Sequence, residues 1–296
     1  MSRAVAILGP GAVGGALAVR LSLAGHRTIC VGPPETLGPI ALAGLVVESR
    51  EGTLSARIEV AERLTTPVSL LLVTVKAPAL VAALDLVEPE TVADGVALCL
   101  LNGLEQMTPM RTRFGDRAAA GSVSRYQAYR PGRVQIVEAS AAPLVTMASD
   151  SLTRGELERA AELLRTARIE VRVGESEKRV LWDKAARIGP LAAATSATGR
   201  TVGELRSDPV WRQRLQDAIA EACAVAEADG VPLRVAAQWA IIDEMADETT
   251  TSAARDVAAG RRSELDAIVG SVLRAAERLN VPCPRLAELA KAAGLP

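Results

Sequence analysis

Residues 4–15 read AVAILGPGAVGG, and this stretch decides the fold. The five apolar residues 4–8 predict a short buried strand, because a strand covered on both faces needs no polar alternation. Three glycines follow at positions 9, 11 and 14, and an Ala- and Leu-rich segment then runs to residue 24. We therefore predict a strand, a glycine-rich turn and a helix in direct succession.

The glycine spacing, G-x-G-x-x-G, is a dinucleotide-binding fingerprint when it joins a strand to a helix. The first glycine permits the tight turn, the second lets the backbone approach a pyrophosphate, and the third lets helix and strand pack closely. The start of the helix adds unpaired N–H groups and a positive dipole end for the phosphates. The candidate cofactor-binding residues of this motif are Gly9, Pro10, Gly11, Ala12, Val13 and Gly14.

Alternating strands and helices continue beyond this motif, which indicates a parallel sheet covered on both faces. We predict further strands at 28–31, 70–75, 96–101, 133–139, 143–147 and 169–173. We also predict one helix that begins at Pro78 and another that spans about 153–166.

Helical periodicity dominates after residue 174. We expect Pro and Gly breaks near 189–190, 199–203, 230–232, 260 and 282–284. The predicted fold class is α/β, with an N-terminal Rossmann-like dinucleotide-binding domain over 1–174 and a C-terminal all-helical domain over 175–296.

Composition excludes several function classes. The 296 residues carry 34 basic and 35 acidic side chains, and only six aromatic ones, so neither nucleic acid nor an anionic membrane is an expected partner. The four cysteines are far apart, which predicts no metal site and a reducing cytoplasmic location. The single histidine, His26, follows a glycine in a predicted turn, which argues against a catalytic His.

Lysine is scarce: the chain has four lysines against thirty arginines. A lysine can lose its proton when burial lowers its pKa, whereas arginine stays charged. Lys184 is the strongest catalytic candidate, because helical spacing places it on an apolar face with Val180 and Ile188. Lys76 and Asn102 each follow a predicted strand, at the sheet edge where ligands bind in parallel sheets.

Glu264 is a candidate carboxylate. We predict one helix over about 254–279, on which Glu264 shares an apolar stripe with Val257, Ile268 and Val272. A carboxylate on such a stripe needs a partner. An exposed ion pair with Arg261 is the competing interpretation.

Taken together, these segments resemble the ketopantoate reductase family along nearly the whole chain. The resemblance rests on GPGAVGG from residue 9, LLLVTVKA from 70, LLNGLE from 100, LWDK from 181, VGEL from 202 and TTTSAARDVAAGRRSELD from 249.

The resemblance implies a two-domain, NADP-dependent 2-dehydropantoate 2-reductase of pantothenate biosynthesis, with its site in the interdomain cleft. Lys184 would be the proton donor, and Asn102 would touch nicotinamide and substrate. Lys76, Ala128 and Glu264 would line the cofactor, and Ser252 would meet the substrate carboxylate.

The sequence departs from the family at four places. Counting from Lys184, the asparagines that hold the substrate in the family are replaced by Ile188, Ala192 and Val202, the three substrate-binding positions here. Pro33 stands where a basic residue usually follows the second strand, so NADP is implied while NAD stays open.

Four functions therefore remain in view. The first is reduction of ketopantoate or a related 2-oxo acid, and the second is reduction of a different, less polar oxo acid or ketone. The third is a β-hydroxyacid dehydrogenase-like activity, and the fourth is a non-catalytic dinucleotide sensor. The expected partner is a small carbonyl substrate, and the chain is expected to be a monomer or homodimer.

Overall fold

The computed structural model describes residues 4–50, 52–140 and 143–295. Their strands are β1 (Ala4–Leu8), β2 (Thr28–Val31), β3 (Leu45–Ser49), β4 (Gly52–Ala56), β5 (Glu59–Ala61), β6 (Val68–Val73), β7 (Val96–Cys99), β8 (Ala118–Ser124), β9 (Ala128–Tyr129), β10 (Gln135–Glu138), β11 (Leu144–Ala148) and β12 (Glu170–Val173).

Their α-helices are α1 (Ala12–Leu23), α2 (Pro34–Ala43), α3 (Leu80–Leu84), α4 (Met107–Phe114), α5 (Arg154–Thr166), α6 (Glu177–Thr198), α7 (Val202–Ser207), α8 (Pro209–Ala228), α9 (Val235–Asp243), α10 (Ser252–Ala258), α11 (Ser271–Leu279) and α12 (Pro284–Ala292). Short 3₁₀ turns span Ala77–Ala79, Pro89–Val92 and Gly115–Arg117, and a π-helical turn spans Asp266–Gly270.

The chain divides into two compact units. The first comprises Met1–Leu101 and Gln106–Val180, and the second comprises Asn102–Glu105 and Leu181–Pro296. The first unit carries the sheets and the second is helical, so the predicted Rossmann-like plus helical architecture is confirmed.

An eight-stranded sheet forms the centre of the first unit, in the order β12-β11-β8-β7-β6-β1-β2-β5. Its neighbouring strands are parallel except for the antiparallel pair β8 and β11. Every residue of β1 is buried, as its uninterrupted apolar sequence predicts. Because β1 lies between β2 and β6, the glycine turn that follows it lies at the carboxyl edge of the sheet.

A second, four-stranded sheet in the order β4-β3-β10-β9 was not expected from the sequence. The strand predicted at 133–139 belongs to it, as β10. Arg20 of α1 and Tyr126 both donate to the Glu138 carboxylate of β10, the tyrosine oxygen at 2.5 Å. Since Glu138 is 3% exposed, this buried ion pair and hydrogen bond fasten α1 to the small sheet.

Two predictions for the helical unit are wrong. α6 continues through Pro190 to Thr198, although a break was expected at 189–190. A proline inside a helix costs about 3 kcal/mol. Burial of Ala186 before Pro190, and of Leu191 and Ala192 after it, in the core of the helical unit offsets this cost.

The continuous helix over 254–279 is also wrong. α10 ends at Ala258, and Gly260 adopts a positive φ of 63° that a helix cannot continue. Helical structure resumes with the π-helical turn and α11. Val257 is therefore 39% exposed while Ile268 and Val272 are buried, so the three do not share one stripe.

The other expected breaks are found. α6 and α8 are followed by Gly199 and Gly230 with positive φ, and α12 begins with Pro284. No helix within the described ranges is both long and apolar enough to cross a membrane.

Candidate active site

The glycine turn after β1 has the geometry that the fingerprint predicts. Gly9 has φ +86°, and a Cβ there would lie 2.4 Å from a methyl of Val75 and 2.9 Å from its Cα. A Cβ on Gly14 would lie 2.2 Å from the Thr74 hydroxyl and 2.6 Å from the Gly9 carbonyl oxygen. Both glycines are therefore required by the turn and by the close approach of α1 to the sheet.

Gly11 differs from these two. A Cβ on Gly11 would have no described atom nearer than the Gly9 carbonyl oxygen at 4.0 Å, so packing within the protein does not demand glycine here. The backbone of Gly11 is open to an approaching group, which is the role the fingerprint assigns to its second glycine.

α1 begins directly after this open position. Its N-cap is Gly11, which offers no side-chain cap, so the N–H groups of Ala12 and Val13 in the first turn lack helical partners. Such donors, together with the positive end of the helix dipole, suit a phosphate. The loop residues 9–14 therefore fit the pyrophosphate of a dinucleotide.

Arg130 lies beside the glycine turn and was not among the site residues predicted from the sequence. It follows β9 and donates to the Pro10 carbonyl oxygen at 2.7 Å and to the Arg133 carbonyl oxygen. Its Nε is buried and has no hydrogen-bond partner among the described residues, and none of their carboxylates forms an ion pair with it. Burial lowers the pKa of its guanidinium, and Cys30 of β2 lies within its electrostatic range.

Other predicted cofactor residues of this unit are separate from the loop in sequence. Lys76 is exposed and precedes the 3₁₀ turn after β6. Ala128 is half-buried in β9, where it pairs with Glu138. Pro33 is the N-cap of α2, and the nearby Glu35 is an exposed residue of its first turn.

His26 has a structural role. It lies in the turn after α1, where its backbone N–H donates to Leu21, and its ring Nε2 is 2.7 Å from the Thr166 hydroxyl. The four cysteines are free and buried, and burial raises the pKa of the Cys30 thiol to about 12. The described residues contain no His, Cys, Asp and Glu group that could hold a metal ion.

Lys184 lies in α6, in the second unit. Three effects set the pKa of its ammonium, which falls to about 8: burial lowers it most, the positive charge of Arg187 lowers it further, and Glu264 raises it. The lysine is thus protonated at neutral pH and can release its proton readily.

Asn102 and Gly103 belong to the same unit as Lys184. Gly103 has φ +104°, and a Cβ there would lie 2.3 Å from the Ala267 carbonyl oxygen of the π-helical turn. Arg274 of α11 holds Glu105 with N–O distances of 2.7 and 2.8 Å, which fixes the segment. The Asn102 Oδ1 is buried and finds no partner among the described residues, so it is poised to accept a hydrogen bond.

Both halves of the chain match one family. Residues 5–148 match the family model Ketopantoate reductase PanE/ApbA, and residues 178–294 match Ketopantoate reductase PanE/ApbA C terminal. The chain belongs to the ketopantoate reductase family.

Individual relatives agree with this assignment. The uncharacterized oxidoreductase YkpB of Bacillus subtilis is 24% identical over 285 residues, which cover 95% of this chain and 94% of YkpB. A PanE/ApbA family ketopantoate reductase from Ralstonia eutropha JMP134 is 26% identical with a TM-score of 0.86, covering 98% of this chain and 96% of that one.

The same fold occurs in D-mandelate dehydrogenase, solved as a ternary structure with NADH and anilino(oxo)acetate. It has a TM-score of 0.88 at 19% identity and covers 98% of this chain and 96% of that one. At this identity the likeness shows the fold alone.

The three predicted substrate-binding positions at 188, 192 and 202 differ in exposure. Ile188 is partly exposed, one helical turn after Lys184. Ala192 and Val202 are completely buried in the core of the helical unit. Ser252 is exposed as the first residue of α10, and Glu264 is partly exposed before the π-helical turn.

The Glu264–Arg261 ion pair, the competing interpretation for Glu264, is not formed among the described residues, because Arg261 pairs with Asp256 at 2.9 Å. This pair spans the turn at Gly260, where a break was expected. Glu264 acts electrostatically on Lys184.

Proposed function

We propose that this chain reduces a 2-oxo acid to the 2-hydroxy acid with a nicotinamide dinucleotide, and that Lys184 is the proton donor. The observation that carries the proposal is the Lys184 ammonium, whose pKa of about 8 suits general acid catalysis near neutral pH. The family membership of the chain supports the same reaction class.

A reduced nicotinamide, when bound, would supply the hydride that reduces the carbonyl carbon. We assign each remaining part of the reaction to a residue of the chain. Lys184 hydrogen-bonds the carbonyl oxygen, stabilises the negative charge that develops there and transfers its proton to it. Glu264 keeps the ammonium charged before the reaction, since its carboxylate raises the pKa of Lys184. General acid catalysis of this kind contributes roughly 10²–10⁴-fold in rate.

Asn102 is the second polar group that we assign to the reaction. Its unpartnered Oδ1 can accept a hydrogen bond from the nicotinamide amide or from a hydroxyl of the substrate. A buried acceptor without a partner costs about 1–3 kcal/mol, which a ligand donor would offset. We assign Ser252 to the substrate carboxylate, by family resemblance and its exposed position.

For the cofactor we propose NADP. Residues 9–14 would hold the pyrophosphate, with Lys76, Ala128 and Glu264 along the remainder. Arg130 supports NADP over NAD, because a cation can bind the 2′-phosphate that only NADP carries. No carboxylate of the described residues neutralises its guanidinium, which lies beside the loop 9–14 and near β2. It would replace the basic residue absent at Pro33. D-mandelate dehydrogenase binds NADH, so both cofactors belong in the test.

For the substrate we propose a 2-oxo acid, with two candidates. Ketopantoate follows from the family. A less polar 2-oxo acid is favoured by Ile188, which presents an aliphatic side chain where family members present an amide. Pockets built for hydrogen bonds reject substrates that lack them far more strongly than apolar pockets do.

A substrate panel tests the proposal. The purified protein is mixed with NADPH or NADH and ketopantoate, 2-oxoisovalerate or benzoylformate, and loss of nicotinamide absorbance is followed. A kcat/KM for ketopantoate near 10⁴ M⁻¹s⁻¹ or above, about the lower range for enzymes, would favour the first candidate. Faster reduction of the two less polar acids would favour the second. Failure to reduce any 2-oxo acid, in a protein shown to bind the cofactor, would overturn the proposed function.

A further inference from the structure

Arg187 is a buried cation beside the proposed proton donor. It lies three residues after Lys184 in α6 and is 6% exposed. Its Nη1 donates to the Gln238 side-chain oxygen of α9 at 2.6 Å and to the Asp183 backbone oxygen at 3.1 Å. Gln238 is 3% exposed and donates in turn to the Asp183 carboxylate at 3.3 Å. The arginine is thus held in one position.

Holding a guanidinium there is costly. No described carboxylate forms an ion pair with Arg187, and its Nε is buried without a partner. Burial lowers the pKa of the Arg187 guanidinium, with Asp183 as the attractive charge that opposes this. A buried ionic group is often less stabilising than an apolar side chain of similar volume. Packing alone therefore does not account for arginine at position 187.

The charge has a direct consequence for Lys184. Residues three apart on a helix are neighbours, with Cβ atoms about 5–6 Å apart. The positive charge of Arg187 acts on the neighbouring Lys184 ammonium and disfavours its charged form. The arginine cannot release a proton under ordinary conditions, so the lysine is the member that responds.

We propose that Arg187, held by Gln238, is a positioning residue that makes the neighbouring Lys184 release its proton more readily. The catalytic meaning of this rests on the proposed function, but the electrostatic effect does not. Arg187 on its own helix and Glu264 before the π-helical turn act on Lys184 with opposite signs. Asp183, adjacent to Lys184, attracts the Arg187 charge, and its carboxylate accepts a hydrogen bond from Gln238.

The scarcity of lysine makes a direct measurement possible. Protein labelled with carbon-13 at the lysine ε position gives signals from only four side chains, at 76, 178, 184 and 291. Lys184→Arg identifies the signal of Lys184. Titration with pH then gives the proton affinity of Lys184 without any activity assay.

Two variants remove the effect in different ways. Arg187→Gln deletes the charge, and Gln238→Glu keeps the arginine but places a carboxylate in contact with it. In both, we expect the Lys184 midpoint to rise by at least about half a pH unit, since one unit corresponds to only about 1.4 kcal/mol of charge interaction. Arg285→Gln, which removes an exposed charge of α12 in the same unit, should leave the midpoint unchanged.

The inference would be overturned if folded Arg187→Gln and Gln238→Glu had the same Lys184 titration midpoint as the unaltered protein. If Arg187→Gln does not fold, Arg187→Met decides, because it removes the charge and fills a similar volume with an apolar side chain. A shifted midpoint in a protein that reduces no 2-oxo acid would support the inference and overturn only the proposed function. In an active protein, the alkaline limb of the kcat/KM profile should move upward with the midpoint.

Discussion

The rate of reduction should fall as the pH rises above about 8, a low pH for the deprotonation of a lysine that acts as a general acid. The reaction as proposed needs Lys184 protonated, and the pKa of its ammonium is lowered to about 8 by burial and by Arg187. The sign follows from the charge: the folded protein favours the neutral amine, so the active, protonated form is full below that value and is lost as pH rises through it.

The size of the effect follows from the pKa. With a pKa of about 8, about nine-tenths of Lys184 is protonated at pH 7 and about one-hundredth at pH 10. kcat/KM for reduction, which reports the ionisation of the free protein, should therefore fall about 10²-fold between these two pH values. A lysine at its ordinary pKa would still be about three-quarters protonated at pH 10 and would lose almost no activity.

The assay is kcat/KM for the best 2-oxo acid at saturating cofactor, measured from pH 6.5 to 10, with circular dichroism to verify folding at each pH. A deuterated reduced cofactor shows whether hydride transfer limits the rate. A kcat/KM that stays level to pH 9.5, with hydride transfer limiting, would refute the assignment of Lys184 as an acid with a lowered pKa.

Further predictions test single residues. Lys184→Ala and Lys184→Arg should each lose at least about 10²-fold in kcat with unchanged cofactor affinity; near-full activity of the Arg variant would reduce Lys184 to an electrostatic anchor. Gly11→Asp should abolish NADPH binding in a nicotinamide fluorescence titration, because it adds bulk and negative charge at the open backbone position; exposed Gly38→Asp is the control, and normal binding by the first variant would contradict the loop assignment. Arg130→Met should weaken NADPH binding by about tenfold, the value of a charged hydrogen bond, and NADH binding hardly at all; equal losses would give Arg130 a purely structural role. Ile188→Asn should raise kcat/KM for ketopantoate if the unaltered protein prefers a less polar acid, and an unchanged value would place position 188 away from the substrate.

Local sequence was sufficient for the elements with strong patterns. β1 and β2 have the predicted bounds, and α5 begins after Thr153, whose capping box with Glu156 marks the start of the helix. In each of these segments the hydrophobic pattern and the boundary residues favour the same structure. The element could therefore be predicted without knowing which residues contact it in the folded protein.

Elements with weak patterns were missed. β8 reads AAAGSVS, a composition with little strand preference, and it is a strand because β7 and β11 pair with it on both sides. The small sheet joins β3 and β10, which are far apart in sequence, so no local signal predicts it. Pro190 does not end α6, because residues before and after it, such as Ala186 and Ala192, are buried in the core of the helical unit.

The sequence by itself determined the glycine turn and the two-part architecture, since these depend on glycine spacing and buried apolar runs. It also singled out Lys184 as the catalytic candidate, because lysine is rare in this chain. The tertiary structure decided what surrounds them. It set Arg130 against Pro10, 120 residues away, and Gln238 against Arg187, 51 residues away. It also buried Ala192 and Val202 while leaving Ile188 partly exposed. The physical reason is that charge, burial and pKa depend on which groups meet in space, and packing between distant segments fixes those meetings.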